Sequence, residues 1–536
     1  MVEMSAHFRS LEVTARFQRM RWSSVIGALL VLVAVASVNV HYLLQPLRLL
    51  GQTEYDDGVH YAAGFEFASG VMPYKDFFFS QPPGIVYLMV PFAWIGRWLG
   101  TGDGLAAARI FTAFIVCANS LLVYRVALKR TSVVPALLAG AGLAFYPFAE
   151  QATHTVMLEP YVVFFLLVAV NLAFATTIPT SKALILAGVS FGFGTAVKVW
   201  EIVPFGIALI ILAVVLRQRA LKLVYGYLAG LLVPILPFLI LAPSALVHET
   251  IFDQFTRATS GVAGTGPRLS TITGLGAFSW LSGSLTEHLV IGVVAVLAIL
   301  VFFTRHLATR YDYFVFTGAI ASLLMFLKSP VFWPHYAYFS AAFICLSVAS
   351  AVSLIAKSAS AYLPKIANRR PTLYITALCL IGLFLFSSYA ARSTILGSSF
   401  PYDPSAITPT IPAGSCVIAD QEAGLVGSNL LGTEPANCPV VIDSWGINNL
   451  ELKNLSQTKL KLQWEKYFIK ANYVVLSAPL APNNNNSNIP NSDHLAHWFR
   501  RYFKLVQIDN PYYVYQHRRS TQYCANEPQR SLSPCI

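Results

Sequence analysis

The chain is short of charge. Of its 536 residues only 12% are Asp, Glu, Lys or Arg, against roughly a quarter in a soluble domain, while 56% are hydrophobic and the mean hydropathy is +0.59. That shortage excludes an ordinary water-soluble globule and makes a bilayer the natural solvent for most of the sequence. Acids are the scarcer sign, 25 against 37 Lys and Arg, giving a net charge of +12. In a soluble chain this excess would suggest nucleic acid; in a membrane protein it is read as loop Lys and Arg that set orientation, and no nucleic-acid partner is expected. No cysteine pair has zinc-site spacing, no EF-hand loop is present, and no repeated segment of the kind common in transporters is found.

What is present is a series of apolar runs near the roughly 20 residues that a membrane helix needs. They lie at about 24–45, 106–127, 132–148, 157–176, 184–198, 202–216, 223–243, 287–304, 312–328, 335–356 and 372–390, which predicts about 11 spans. A further run, 83–99, is read as lying on the outer surface. That reading collects Arg9, Arg16, Arg125, Lys129, Arg130, Lys182, Arg217, Arg219, Arg305, Arg310, Lys357, Arg369 and Arg370 on one side, the positive-inside pattern. The two short runs 184–198 and 202–216 are read as helices that meet at the outer side, with Gly188, Gly192 and Gly194 permitting close packing. The N-terminus is then cytoplasmic, residues 1–23 precede the first span, 24–390 form the membrane part, and 391–536 lie outside. Ala34 to Ala36 resembles a signal-peptide cleavage site, but the apolar run continues past it, which favours an uncleaved anchor.

The tail 391–536 has a different composition. Apolar segments at 416–420, 439–443 and 472–479, an amphipathic helix around His494–Phe503, and the strands KLVQI and YYVYQH joined at Asp509-Asn510-Pro511 predict a soluble α/β domain. Asn483–Asn486 reads as a surface loop, and Asn454 and Asn485 stand in Asn-x-Ser sequons. Cys117, Cys345 and Cys379 fall in apolar runs as small core residues. Of the possible pairings among the four tail cysteines, Cys416–Cys438 and Cys524–Cys535 are preferred.

The acids that remain are concentrated. Glu54, Asp56 and Asp57 stand just past the first span, with Asp76 on the same outer loop (46–105) and His154 and Glu159 in the next. Unpartnered carboxylates beside a bilayer cost several kcal/mol, so such a cluster is a functional-site hypothesis. Two bland readings stand beside it: Asp56 or Asp57 as the N-cap of the helix that follows, and a calcium site. Lys198, Arg257, Arg268, Lys328, His335 and Arg109 fall on the same outer side, against the positive-inside bias. For Arg257 and Arg268, on the loop 244–286, exposure to water or lipid headgroups is the alternative to binding a phosphate; for Lys198 and Lys328 it is snorkelling.

The first outer loop carries a sharp motif: adjacent acids, a short helix ending near Gly70, Pro73-Tyr74-Lys75-Asp76, then Pro82-Pro83 before a surface helix. This order resembles the first exported loop of the GT-C glycosyltransferases, and is most similar to bacterial relatives of protein O-mannosyltransferases and of the aminoarabinose transferase that modifies lipid A. The resemblance covers roughly 20–390. It implies a polytopic all-α membrane protein of GT-C type with amphipathic surface helices in the first outer loop. It also implies transfer of a sugar from a polyprenyl-phosphate carrier to a lipid, glycan or protein acceptor, at the outer face of a plasma (inner) membrane.

Carried over by residue, Asp56 matches the catalytic acid and Asp57 the acid that follows it, while Glu159 matches an acid found after the third span. GFGTAVKVW with Lys198 resembles a Gly-rich helix ending near the carrier phosphate, and PHYAYF resembles the Tyr-rich start of a late helix. Where relatives place a metal-associated Glu or a His, this chain has Ser80 and Gln81, so no metal or other cofactor is expected. The chemistry fits the residue types. Asp56 would take the proton of the acceptor hydroxyl. Lys198, Arg257, Arg268, Lys328, His335 and Arg109 would meet charge developing on the lipid phosphate. Asp57, Asp76, His154 and Glu159 would bind sugar or acceptor. Lacking a second carboxylate set as a nucleophile, the reaction is expected to invert the anomeric centre. The alternative is a secondary transporter or lipid flippase with an extracytoplasmic domain.

Overall fold

A computed structural model describes residues 2–174, 178–278, 283–362, 401–451, 456–480, 488–490 and 493–518, with isolated positions between 378 and 389. The 372–390 run lies largely outside the described residues, and so do the Asn-rich loop, both sequons and the Cys524–Cys535 pairing.

Every other apolar run is helical: Val2–Leu43, Thr101–Leu128, Val133–Ala144, Leu158–Phe174, Ser181–Val197, Ile202–Leu216, Leu221–Leu241, Gly283–Phe303, Arg310–Lys328 and Ala337–Tyr362. Among the described residues, Trp22–Leu43, Thr101–Leu128, Val199–Leu241, Arg310–Lys328 and Pro334–Ser358 are long and apolar enough to cross a membrane. Continuous apolar sequence, with no water to satisfy the backbone otherwise, leaves the helix as the form that pairs every N–H internally. Local chemistry marks the ends: Thr180 caps one helix by accepting from the Ala183 amide at 3.1 Å, and Thr309 with Asp312 forms a capping box on another.

The close packing anticipated at Gly188 and Gly192 is made with a third helix rather than with the neighbour 202–216. Gly188 and Gly192 face Gly226 and Gly230 of Leu221–Leu241, two small-xxx-small repeats laid against each other. A Cβ on Gly192 would sit 2.1 Å from the Tyr227 carbonyl oxygen, so the two backbones touch only because the side chains are missing. The hairpin of 181–197 and 202–216 turns through a short 3-10 segment, Val199–Glu201.

The first outer loop forms the helix Tyr55–Ala68, a turn after Gly70 (φ 92°), and the helix Gly84–Leu99 entered through Pro83. This second helix buries Ile85, Val86, Met89 and Ala93 while leaving Trp94, Trp98 and Leu99 exposed, the amphipathic pattern of an interfacial segment.

The tail builds a four-stranded sheet in the order 417–419, 473–476, 512–517, 503–509; the first pair is parallel and the other two are antiparallel. Val475 sits opposite Ala419 on one side and Val514 on the other, at the centre of the sheet. Helices Gln457–Phe468 and Asp493–Tyr502 cover one face, burying Trp464, Phe468, Leu495 and Phe499. Segment 439–443, read as a strand, is irregular: Pro439 lacks the ladder donor, and Asp443 instead accepts from the Gly446 amide to start a turn. Cys416 and Cys438 are disulfide-bonded, as preferred.

The tail is packed onto the first outer loop. Val59, Phe65 and Met89 share one core with Val417, Val426, Val475 and Val514. A Cβ on Gly58 would lie 2.3 Å from the Ala423 amide nitrogen, so the Tyr55–Ala68 helix presses directly on the tail helix Glu422–Gly427. Gln52 and Tyr402 exchange backbone hydrogen bonds beside this contact.

Candidate functional site

The acidic pair opens the Tyr55–Ala68 helix, where successive side chains point about 100° apart, so Asp56 and Asp57 enter different surroundings. Neither caps the helix: the N-cap is Glu54, whose side chain makes no capping hydrogen bond.

Asp57 turns inward and is fully buried. Its Oδ2 accepts from Arg109 Nε at 2.9 Å and from a second guanidinium nitrogen, and its Oδ1 accepts from the Val156 amide at 2.7 Å. Arg109, also fully buried, spends its remaining donors on the carbonyls of Leu49 (2.6 Å) and Gly51 (2.9 Å) and on Thr53 Oγ1 (3.1 Å). Sequence reading had Arg109 available to a phosphate; the structure gives it to Asp57, tying the Thr101–Leu128 helix to the segment that leads into the acids.

Asp56 is half-buried, and among the described residues its carboxylate makes no hydrogen bond or ion pair. It lies close enough for its charge to act on Glu54, His335, Tyr336 and Asp443. Glu54 is pushed up to about 7, first by burial and then by the charges of Asp56 and Asp57, while a hydrogen bond from Gln151 opposes the shift. Gln151 Oε1 also lies 3.2 Å from His335 Nδ1, so one amide links the first loop to the turn Pro334–Tyr336.

Facing this group is a buried ion pair. Lys198, in extended conformation at the end of Ser181–Val197, donates from Nζ to Glu159 Oε1 at 2.8 Å. The ammonium lies 3.9 Å from the centre of the Trp200 ring and 4.6 Å from that of Tyr336, so two aromatic faces and a carboxylate enclose it. Glu159 Oε2 has no partner among the described residues. Glu201, three residues from Lys198, is buried with its side-chain stem against Gly194 and both oxygens without a partner among the described residues.

The other expected residues are placed as follows. Asp76 is exposed and accepts from the Met72 amide at 2.8 Å, closing its own turn. His154 is buried and stacks on Tyr42 with centroids 3.8 Å apart. Arg268 is buried and donates to the carbonyls of Val262, Phe326 and Ser329 at 2.8, 3.0 and 2.6 Å, a clamp across the short parallel pairing of 260–261 with 331–332. Lys328 ends its helix in an exposed position. Arg257 is half-buried, acts on Tyr336 by charge, and bonds Gln254 Oε1 at 3.0 Å.

The tail reaches the same neighbourhood. Tyr55 donates from its hydroxyl to Asp443 Oδ1 at 2.9 Å, Ser80 Oγ donates to Asp443 Oδ2 at 2.9 Å, and the Trp445 amide donates to the Tyr55 hydroxyl at 2.9 Å. Burial, followed by the charge of Asp56, holds Asp443 above the usual carboxylate range despite these donors. Sequence reasoning missed Gln151, Asp443 and Trp445 and the enclosing role of Trp200 and Tyr336. Trp200 had a signal, two residues from Lys198; Asp443 had none, since 388 residues separate it from Tyr55. Among the described residues, no three His, Cys, Asp or Glu side chains are grouped so as to hold a metal ion.

The arrangement can do two things chemically. An accessible, unpartnered carboxylate can accept a proton. A caged ammonium with nearby Arg and Tyr groups can meet a developing anion.

Residues 80–242 match the family described as dolichyl-phosphate-mannose-protein mannosyltransferase. No curated protein matches the chain by sequence. Among solved structures, the chain is similar to ArnT from Cupriavidus metallidurans bound to undecaprenyl phosphate, with TM-score 0.59 and 14% identity over 92% of this chain and 99% of that one. The apo state of the same protein gives 0.57 and 15% over 90% and 97%. The apo oligosaccharyltransferase of Archaeoglobus fulgidus gives 0.50 and 14% over 85% and 69%. At such identities the likeness is one of fold. The protein is a membrane protein of GT-C fold, and the resemblance carried by its first outer loop is borne out.

Proposed function

We propose that the protein is a glycosyltransferase that moves a sugar from a polyprenyl-phosphate carrier to an acceptor hydroxyl at the outer face of a plasma (inner) membrane, with inversion. The observation that carries this reading is an accessible carboxylate without a partner among the described residues, Asp56, near an aromatic-enclosed ammonium, Lys198, on the fold shared with ArnT, whose structure was solved bound to undecaprenyl phosphate.

In this reading the acceptor hydroxyl loses its proton to Asp56 as its oxygen attacks the anomeric carbon. The bond from that carbon to the phosphate oxygen breaks, and polyprenyl phosphate leaves with the electron pair. Lys198 and Arg257 meet the phosphate charge, and the Tyr336 hydroxyl adds a donor. Glu159 aims Lys198 and prevents it from reaching the membrane surface. Asp57 differs from the expectation of a sugar contact, because Arg109 and the Val156 amide already occupy it; here it fixes the helix that presents Asp56. Arg268, committed to three carbonyls, shapes the 244–286 loop, and Asp76 shapes its own turn.

The topology belongs to the same proposal: about 11 crossings over 24–390, the N-terminus cytoplasmic, and the tail domain outside. Supporting it, residues 52, 55 and 80 of the first outer loop all bond to the tail, so that loop and the tail share one side.

The test is the Asp56→Asn variant, assayed in membranes with polyprenyl-phosphate-linked mannose or arabinose and a comparison of envelope glycans with the parent strain. Transfer is abolished while the protein remains inserted and folded. Full activity in Asp56→Asn removes the proposal.

A further inference from the structure

Arg257 reaches the candidate site from a loop, and a loop arginine needs something to hold it. Its Nη1 bonds Gln254 Oε1 at 3.0 Å, and Gln254 Nε2 in turn donates to the Ser80 carbonyl at 2.6 Å. Its Nε is buried and has no partner among the described residues. The guanidinium carbon lies 4.9 Å from the centre of the Trp445 ring, a residue of the tail. On its other side the charge of Arg257 acts on Tyr336, the residue that also flanks Lys198.

Trp445 does not wander. Its amide is fixed by the Tyr55 hydroxyl, which also donates to Asp443, and Asp443 is gripped by Ser80 and by the Gly446 amide. The anchoring residues Tyr55 and Ser80 both belong to the first outer loop, Tyr55 immediately beside Asp56. A planar cation on an aromatic platform keeps its donors aimed without using any of them up. The Nε, unpaired among the described residues, is therefore left for an anion.

We propose that the tail acts in the reaction through Trp445, a positioning residue that holds Arg257 toward Lys198 and Tyr336 so that the guanidinium completes a site for the phosphate of the lipid carrier. This rests on the donor reading given above and adds a role for the tail, which would otherwise be only a neighbour of the membrane part. Lys198 supplies a point charge from within the membrane helices; Arg257, steadied from outside, supplies directional donors.

The test is a double-mutant cycle on the full-length protein in detergent, with undecaprenyl phosphate as the probe and binding read by titration. Trp445→Ala weakens binding by about 3- to 30-fold, the range of one cation–π contact, and Arg257→Ala by at least as much. Trp445→Phe, which keeps a ring, stays within about threefold of the parent. In an Arg257→Ala background, Trp445→Ala adds nothing, because the platform then has nothing to hold. Should Trp445→Ala fail to fold, Trp445→Leu keeps the volume without the ring face and takes its place. Two results overturn the inference: unchanged binding in Trp445→Ala and Trp445→Leu, or the same loss from Trp445→Ala with Arg257 present or absent. If Lys198→Ala loses binding while Arg257→Ala does not, the donor reading stands and the Trp445 role falls. A parent protein that does not bind undecaprenyl phosphate overturns both.

Discussion

Lys198 Nζ lies 2.8 Å from Glu159 Oε1 with the Trp200 ring 3.9 Å away, so one ammonium is held at once by a buried carboxylate and a half-buried aromatic face. Removing one partner strands the other. Lys198→Ala leaves the Glu159 charge uncompensated, and a broken buried pair of this kind costs about 3–5 kcal/mol. Thermal unfolding in detergent shows the loss. Adding Glu159→Gln to Lys198→Ala recovers most of the stability and none of the transfer, which separates the structural part of the pair from the chemical one.

Asp56 and Asp57 part company in the same assay. Asp57→Asn loosens Arg109 from the segment at 49–53 and lowers stability by about 3 kcal/mol or more, because the guanidinium then lies buried beside a neutral amide. Asp56→Asn removes a carboxylate with no partner among the described residues, and its unfolding temperature stays within about 2 °C of the parent. Comparable destabilisation by the two variants would show that Asp56 also has a structural partner.

Gly192→Leu tests the helix contact that sets the position of Lys198. With a Cβ only 2.1 Å from the Tyr227 carbonyl, the helices 181–197 and 221–241 must separate. Overpacking of this sort costs about 1–3 kcal/mol or more. Undecaprenyl phosphate binding falls with it, since Lys198 sits at the end of the displaced helix. The same substitution at Gly206, where a Cβ meets nothing, leaves both unchanged.

A pH dependence of stability is built into the seam between the first outer loop and the tail. Glu66, Glu422 and Glu434 line one cavity of about 230 Å³ there. Burial raises all three carboxyls, Glu66 and Glu434 from an ordinary 4.5 to about 7, with the charge of Glu434 adding to the rise at Glu66 and Arg97 opposing it. The folded protein therefore holds more protons than the unfolded chain between those values. The stability contributed by Glu66 and Glu434 is highest below 4.5, falls as pH rises to about 7 and levels off above it, while Glu422, held well above its ordinary value, extends the decline to higher pH. Glu422→Gln removes one buried charge, so its unfolding temperature at pH 8 rises by about 2 °C or more and the decline from pH 5 to 8 flattens. An unfolding temperature with the same slope in both proteins argues against the burial account.

Much of this was legible in the sequence because bilayer and core leave few choices. Apolar runs of spanning length became helices, with 133–144 shorter than its run because helix ends are set by local caps and turns. Gly70, Pro73 to Asp76 and Pro82-Pro83 gave the shape of the first loop, and the apolar segment 472–479 and the strand YYVYQH at 512–517 gave two central strands. Segment 439–443 failed as a strand because a buried apolar stretch carries no period that tells a strand from a packed loop. In the site, Asp56, Glu159, Lys198, Arg257 and His335 were named from residue type and side of the membrane, but their partners were not. Arg109 looked like one more outer cation until Asp57 claimed it, and Asp443 looked like a strand end until Tyr55 and Ser80 closed on it.

The sequence by itself determined the solvent, the helices and the chemical kinds of side chain available on one face, because hydropathy and residue type act locally along the chain. Tertiary structure alone decided which acid is spent on an arginine and which stays free, and that the tail meets the loop that carries it. Those outcomes depend on contacts between residues as far apart as Tyr55 and Asp443, where the distance along the chain says nothing about the distance in space.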